Sequence, residues 1–378
     1  MQKYQNLKAF CVGFKKGGIV VKEQRLKRLV KAMEEANVKQ LLVTDPTSIF
    51  YLTGKWIHPG ERMLALYINV DGNNKLFINE LFPVEEDLGV EKVWFKDTDD
   101  PIKLLVPCLD KNATLGIDKN WPARFLLRLM EFKAVPEYVN GSNIVDRLRM
   151  IKDEEEIELL RRSSQINDQA IERLINELSP EFSEKDMKEK LLAIYKELGV
   201  EGLSFEPIIS YGPNCADPHH DCDDSMLKEG DSIVVDIGCI KDSYCSDMTR
   251  TLFYKNVSEK HKEIYNIVLE ANRKAIEIVK PGVRFCDVDL TARKIIEDAG
   301  YGKYFTHRTG HSIGIEDHET GDVSSTNTDI LKPGMVFSVE PGIYLPGEMG
   351  VRIEDLVVVT EDGYENLNSY DKSLKIIE

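Results

Sequence analysis

Apolar residues follow two different spacings in the first part of the chain. Residues 23–38 (EQRLKRLVKAMEEANV) have helical spacing, whereas residues 39–45 (KQLLVTD) contain the short apolar run of a buried strand. Residues 63–80 predict a hairpin around the turn sequence DGNN, and residues 113–132 predict a strand followed by a helix. This alternation predicts an α/β domain over residues 21–150, in which we identify no catalytic motif.

A charged helix predicts the domain boundary. It begins near Lys152 (KDEEEIELLRRSSQINDQAIERLINEL), and its acid-rich start suits the positive end of a helix dipole. We therefore place the boundary at 145–155 and a second domain at 151–378. Residues 1–20 are expected to be a leader of uncertain order.

The second domain contains two segments of similar sequence. Residues 179–199 and 280–300 align without gaps at an offset of 101, and both segments end in glycine. Each follows a long amphipathic helix, predicted at about 155–178 and 258–279. The spacing favours two related halves over two helical units that are alike in composition alone.

Composition limits the class of protein. The 378 residues are 42% hydrophobic and 30% charged, with a net charge of −16. This length predicts two domains, and the acidic balance makes nucleic acid or an anionic membrane an unexpected partner. No stretch is apolar enough to span a bilayer, and the N-terminus lacks a signal-peptide pattern. Seven cysteines without a regular framework favour reduced thiols and a cytoplasmic location.

Two acids interrupt a run of strand-forming residues in VVDIGCIKDSYCSDMTRT (234–251). A two-residue turn at Lys241 and Asp242 would place Asp236 directly opposite Asp247. Two buried carboxylates at that separation repel each other unless a cation lies between them.

The same arrangement recurs in VFSVEPGIYLPGEMGVRIEDLVVV (336–359). A five-residue turn over 345–349 makes Gly342 face Arg352 and puts Glu340 opposite Glu354. The two halves would therefore contribute one acid pair each.

Four carboxylates carry a charge that two divalent cations would cancel. His311, between Gly310 and Gly314, offers an imidazole, and either glycine would allow the backbone to approach a ligand. One imidazole and four carboxylates form an oxygen-rich set. We expect two metal ions, with Mn²⁺ favoured and Co²⁺, Zn²⁺ or Fe²⁺ as alternatives.

Asp236, Asp247, His311 in TGHSIG, Glu340 in VEPGIY and Glu354 in VRIED resemble the five metal ligands of the pita-bread metallopeptidases. The resemblance covers about residues 155–370, and the preceding domain is similar to the creatinase-type N-terminal domain of the Xaa-Pro dipeptidase and aminopeptidase P branch. It implies a pseudo-twofold catalytic domain with a curved, largely antiparallel sheet covered by helices. It also implies a homodimer.

The resemblance implies the function and a role for each residue. Asp236 would bind one metal, His311 and Glu340 the other, and Asp247 and Glu354 both. A hydroxide shared by the metals would hydrolyse the Xaa-Pro bond at the N-terminus of short proline-containing peptides, with Glu340 as the proton shuttle. His219 and His318 match the two active-site histidines that are not ligands. Arg352, on the strand face of Glu354, would hold that carboxylate or a substrate carboxylate.

Several readings stay open. His307 is either a group that supports the site or an ordinary loop histidine, and His220 competes with His219. Cys215 and Cys222 flank this histidine pair, but their spacing does not match a zinc knuckle. The segment HETGDVSSTN (318–327) departs from related sequences, some of which have an arginine there. This leaves open which residue grips the C-terminal part of the substrate.

Two other functions remain in competition. One is hydrolysis of a C–N bond in a creatinase-like or modified amino acid substrate, and the other is a non-catalytic binding module. The complete ligand set favours the peptidase over both.

Overall fold

The computed structural model describes residues 19–378, and the chain divides into two units between Arg149 and Met150. The predicted leader lies outside the described residues except for its last two positions. None of the helices in this described range is long and apolar enough to cross a membrane.

A mixed six-stranded sheet organises the N-terminal unit. Its helices are α1 (Ile19–Glu35), α2 (Pro46–Thr53), α3 (Pro101–Leu105), α4 (Ala123–Glu131) and α5 (Ser142–Arg149). Its strands are β1 (Gln40–Val43), β2 (Ala65–Asn69), β3 (Lys75–Asn79), β4 (Glu91–Phe95), β5 (Leu115–Ile117) and β6 (Tyr138–Asn140). They follow the order β4-β3-β2-β1-β5-β6, and the predicted hairpin is the antiparallel pair β2–β3.

Two helix pairs cover the sheets of the C-terminal unit. They are α6 (Glu154–Ile175) with α7 (Glu184–Leu198), and α8 (Glu259–Glu277) with α9 (Phe285–Asp298). The first residues of α7 and α9 are 101 positions apart, and Gly199 and Gly300 take left-handed φ angles of 69° and 86° at the ends of these helices. Each pair lies over its own cluster of buried apolar side chains. The two similar sequence segments therefore belong to two corresponding structural halves.

Largely antiparallel strands form the layer beneath these helices. In the first half they are β7 (Gly202–Leu203), β8 (Ile208–Tyr211), β9 (Ser232–Ile237), β10 (Cys239–Lys241), β11 (Tyr244–Cys245) and β12 (Met248–Tyr254). In the second they are β13 (Gly310–Ser312), β14 (Glu319–Val323), β15 (Val336–Val339), β16 (Gly342–Leu345), β17 (Met349–Arg352), β18 (Asp355–Val359), β19 (Tyr364–Asn366) and β20 (Ile376–Ile377). The principal sheets run β20-β12-β9-β8 and β14-β13-β15-β18-β19. The prediction of an α/β chain with a largely antiparallel C-terminal sheet is confirmed.

The register of the first acid hairpin differs from the prediction. The turn residues are Asp242 and Ser243, both with positive φ, so Asp236 faces Thr249 and not Asp247. Two consecutive left-handed residues make the turn whose twist matches a hairpin, and here a short polar pair adopts it without glycine. Because the shift equals two residues, Asp247 stays on the same face of the sheet, diagonal to Asp236.

The second hairpin has the predicted register. Gly342 faces Arg352 and Tyr344 faces Gly350, with Leu345 and Met349 closing the ladder. Val339 pairs with Asp355 in the same register. Glu340 and Glu354 follow and precede these paired residues, which brings the two acids together.

A buried arginine joins the two halves next to this hairpin. Arg250 on β12 donates to the carbonyl oxygen of Glu354 and to Asp355 Oδ1 at 2.8 Å, and both side chains of this ion pair are almost fully buried. The Glu354 backbone N–H in turn donates to Thr249 O at 3.1 Å. These contacts fix β12 against β18.

Candidate metal centre

One cavity in the C-terminal unit is lined by all eight residues that the sequence singled out. It encloses about 600 Å³. The eight residues are His219, Asp236, Asp247, His311, His318, Glu340, Arg352 and Glu354. They come from both halves, so the cavity lies where the two halves meet.

Strand ends place the five candidate ligands. Asp236 lies near the end of β9, Asp247 directly precedes β12, and His311 is the middle residue of β13. Glu340 follows β15 and Glu354 precedes β18. The protein therefore directs acids from four strand ends, and one imidazole, into a single space.

The ligand atoms converge closely. One atom each of Asp247, His311 and Glu354 lies within 4.8 Å of the other two, and all three residues are buried. His311 Nε2 is 3.6 Å from Asp247 Oδ2 and 3.5 Å from Glu340 Oε1. These separations suit atoms that share a cation.

Three carboxylate oxygens of the candidate ligands are buried and have no hydrogen-bond partner within residues 19–378. They are Asp236 Oδ1, Asp247 Oδ1 and Glu354 Oε1. An unpaired buried carboxylate oxygen is costly, whereas a metal–oxygen bond would satisfy it. The donor set therefore fits divalent metal ions.

Burial and mutual repulsion raise the proton affinity of Asp247, Glu340 and Glu354. Burial, together with the charges of Glu354 and Asp236, raises the pKa of Asp247 well above its usual range. Burial also raises the pKa of Glu340 to about 8, and burial and Glu340 raise the pKa of Glu354. Burial lowers the pKa of His311 to about 3, so its imidazole is in the neutral form that metals bind.

Arg352 binds a different acid from the one expected. Its Nη2 donates to Asp236 Oδ2 at 2.6 Å, and Glu354 instead accepts from Thr249 Oγ1 at 2.7 Å. The Arg352 side chain is only 3% exposed and also donates to Tyr344 Oη at 3.0 Å. It orients Asp236 and leaves one oxygen of that carboxylate for a metal.

The two predicted non-ligand histidines both reach the cavity and are exposed to solvent. The His318 ring lies against the His311 ring, with centroids 3.9 Å apart. His219 is on the segment between β8 and β9. Both are placed to contact a bound molecule.

Besides Arg308, which also lines the cavity, three residues around it were missed or left open by the sequence. Asp317 lines it, has a buried Oδ1 without a partner in the described structure, and burial raises its pKa to about 7. In the sequence, the one indication of a role for Asp317 was its position directly before His318. His307 shares a 2.8 Å hydrogen bond with Tyr344 Oη, which makes it a supporting group of the site. Tyr344 gave no signal in the sequence.

The glycines beside His311 allow close packing and not ligand approach. A Cβ at Gly310 would lie 1.9 Å from Ser338 O, and one at Gly314 would lie 2.6 Å from Glu319 Oε1. The cysteines near the histidine pair have structural contacts. Cys215 Sγ donates to Ser210 O, and Cys222 Sγ donates to Pro207 O.

Comparison with known proteins decides the family. Residues 158–361 match the model of metallopeptidase family M24, and residues 25–151 match the creatinase/prolidase N-terminal domain. The chain belongs to metallopeptidase family M24. The predicted resemblance and the assignment as a metallopeptidase are thereby confirmed, and M24 enzymes depend on metal.

Individual M24 relatives align over nearly the whole chain. An uncharacterized peptidase of Staphylococcus aureus (strain MRSA252) is 38% identical over 91% of this chain and 99% of its own length. The prolidase of Thermococcus sibiricus is 34% identical, with a TM-score of 0.89 over 96% of this chain and 100% of its own. The X-Pro aminopeptidase of Thermotoga maritima is 29% identical, with a TM-score of 0.81 over 92% and 100%.

The first prediction concerns pH and metal. An acid whose pKa is raised by folding stabilises the protein at low pH, and this contribution is lost as pH rises through the folded value. With Glu340 near 8 and Asp317 near 7, metal-stripped protein loses stability between about pH 4 and 8. Since Mn²⁺ competes with these protons, the gain in Tm on adding Mn²⁺ should grow from pH 5 to pH 8 in thermal scans. A constant or shrinking gain would contradict this account.

The second prediction concerns Asp247→Asn. Folding opposes the ionisation of Asp247, so replacing its carboxyl group by an amide should raise the Tm of metal-stripped protein at pH 7. The loss of a ligand should lower bound Mn²⁺ to below one ion per chain. Activity should fall by at least about 100-fold. Asp224→Asn, at an acid whose side chain is 86% exposed, is the matched control and should change none of these. Retained activity in Asp247→Asn would refute its place in the metal site.

Proposed function

We propose that this M24 enzyme is a dinuclear metal-dependent peptidase that hydrolyses the Xaa-Pro bond at the N-terminus of short peptides. The observation that carries the proposal is the set of buried, partly unpaired carboxylates around His311 in one cavity. Carboxylates crowded together in the protein interior cost free energy unless cations or protons neutralise them.

Five residues are proposed to hold two metal ions. Asp236 would bind one, His311 and Glu340 the other, and Asp247 and Glu354 both. The proximity of His311 Nε2 to both Glu340 and Asp247 supports this division. The oxygen-rich set suits Mn²⁺, and Co²⁺, Zn²⁺ or Fe²⁺ remain alternatives.

When bound, the metals would polarise the scissile carbonyl and lower the pKa of the attacking water. Glu340 would take the proton of the attacking water and pass it to the departing proline nitrogen. Its Oε1 accepts from Ser338 Oγ at 3.2 Å, which limits the orientations of the carboxylate. His219 and His318 would donate to the oxygen that becomes negative, and Arg352 would keep Asp236 in place.

An apolar wall formed by Phe205, Pro207, Ile208 and Pro218 supports proline selectivity. A tertiary Xaa-Pro amide has no N–H for a peptidase to bind, so selection must depend on shape. The pyrrolidine ring offers that shape to an apolar surface. Relatives named as a prolidase and as an X-Pro aminopeptidase support the same substrate class.

We also propose the boundaries of the two domains and the oligomeric state. Residues 21–150 would be the creatinase-type N-terminal domain and residues 151–378 the catalytic domain. Two chains would associate as a homodimer.

The direct test is turnover of Ala-Pro, Gly-Pro and Arg-Pro-Pro by chelator-stripped protein after Mn²⁺, Co²⁺ or Zn²⁺ is restored. Cleavage of the dipeptides alone identifies a prolidase, and cleavage of the tripeptide alone identifies an aminopeptidase P. Absence of turnover of all three peptides with every metal would reject the Xaa-Pro assignment.

Arg308 is the cavity-lining arginine that can meet a substrate carboxylate. Its side chain is 34% exposed and pairs with Asp322, whereas Arg352 is buried and bound to Asp236. In Arg308→Met, the loss of a charged hydrogen bond should raise KM for Ala-Pro about tenfold or more. KM for Ala-Pro amide should change less than about twofold on the same reasoning.

Arg162→Met, at an exposed arginine of α6, serves as the control and should leave both KM values unchanged. An equal change of KM for the acid and the amide would show that Arg308 does not recognise the carboxylate.

A further inference from the structure

The segment between β8 and β9 brings His219 to the cavity, and Arg352 Nη1 holds the preceding residue by donating to Pro218 O at 3.3 Å. Its backbone N–H donates to Asp217 Oδ1 at 3.0 Å, and Asp217 belongs to the same exposed segment. The segment starts with the helical turn Gly212–Ala216, which packs on β17. The position of His219 must therefore be fixed by its neighbours in the sequence.

Glu184, the first residue of α7, contacts this segment on both sides of His219. Its Oε1 accepts from Tyr211 N at 2.8 Å and from Asn214 Nδ2 at 3.0 Å. Its Oε2 accepts from Asp223 N at 3.0 Å and lies 2.7 Å from His220 Nε2. The Glu184 side chain is fully buried, so water does not compete for these bonds.

This geometry determines the hydrogen-bonding role of His220. Glu184 as a carboxylate only accepts, so His220 Nε2 must carry a hydrogen and donate it. Both Glu184 oxygens already have two partners each, which favours a hydrogen-bonded anchor over a metal site at Glu184, His220 and Asp223. In contrast to the His219 ring, the His220 ring is hydrogen-bonded to another side chain of the protein.

We propose that Glu184 and His220 form a clamp that positions His219 at the metal cavity. The two adjacent histidines then have different roles. His219 contacts the substrate, and His220 acts only through it as a positioning residue. This inference rests on the proposed function, because the role of His219 belongs to that reaction. A displacement of about 1 Å in a catalytic group can cost on the order of 100-fold in rate, so a loose clamp should lower kcat.

The test compares His220→Asn with His220→Gln in the full chain with Mn²⁺ and Ala-Pro. Glutamine places an N–H close to the former Nε2 position, whereas asparagine is one methylene too short. We expect His220→Asn and Glu184→Gln to lower kcat about tenfold or more, with KM and bound Mn²⁺ little changed. His220→Gln should keep kcat within about threefold of the wild type by the same positional argument.

A double-mutant cycle separates positioning from general stability. In a His219→Ala background, adding His220→Asn should change kcat by less than about twofold, because there is no longer a catalytic histidine to misplace. A further tenfold loss in that background would overturn the clamp, as would an unchanged kcat in His220→Asn alone. Thermal scans check that each variant is folded, and Glu184→Gln supplies the same comparison if His220→Asn is not.

The wild-type arm distinguishes the two proposals. No turnover of any Xaa-Pro peptide would reject the proposed function and the clamp with it. Turnover by the wild type that His220→Asn and Glu184→Gln leave unchanged would reject the clamp alone.

Discussion

Repulsion among buried carboxylates is the constraint on which the site depends. Asp247 and Glu354 are almost completely buried, and each has an oxygen without a hydrogen-bond partner in the described structure. Folding that brings such groups together costs free energy unless cations or protons neutralise them. The raised pKa values of Asp247, Glu340 and Glu354 express this cost, and two divalent cations would remove it.

The fold brings the acids together because the C-terminal unit contains the same hairpin-and-helix arrangement twice. Each half contributes a hairpin under a pair of helices, and contacts across the halves align the two hairpins. Thr249 of the first half binds Glu354 of the second, while Arg352 of the second binds Asp236 of the first. Because the halves exchange these contacts, neither can shift without moving a candidate ligand of the other.

Local patterns in the sequence predicted much of this and failed where tertiary contacts decide. The hairpin of Glu340 and Glu354 had the predicted register, since glycine and proline define its turn. The hairpin of Asp236 was misplaced by two residues because its turn uses Asp242 and Ser243 in left-handed conformations. Strand alternation still kept Asp247 on the correct face. Tyr344 could not be found from spacing, because its hydroxyl meets His307 and Arg352 only in the folded chain. Asp317 could not be found either, because its place in the cavity depends on residues that are distant in the sequence.

The most direct measurement is anomalous diffraction from crystals grown with Mn²⁺. The account predicts two anomalous peaks per chain, about 3.5–4 Å apart, each within bonding distance of oxygens from Asp247 and Glu354. Two sites with His311 and Glu340 at one and Asp236 at the other would support every assigned ligand. Crystals in which these carboxylates point to bulk solvent, or lie together without any bound cation, would contradict the claim that metal neutralises them.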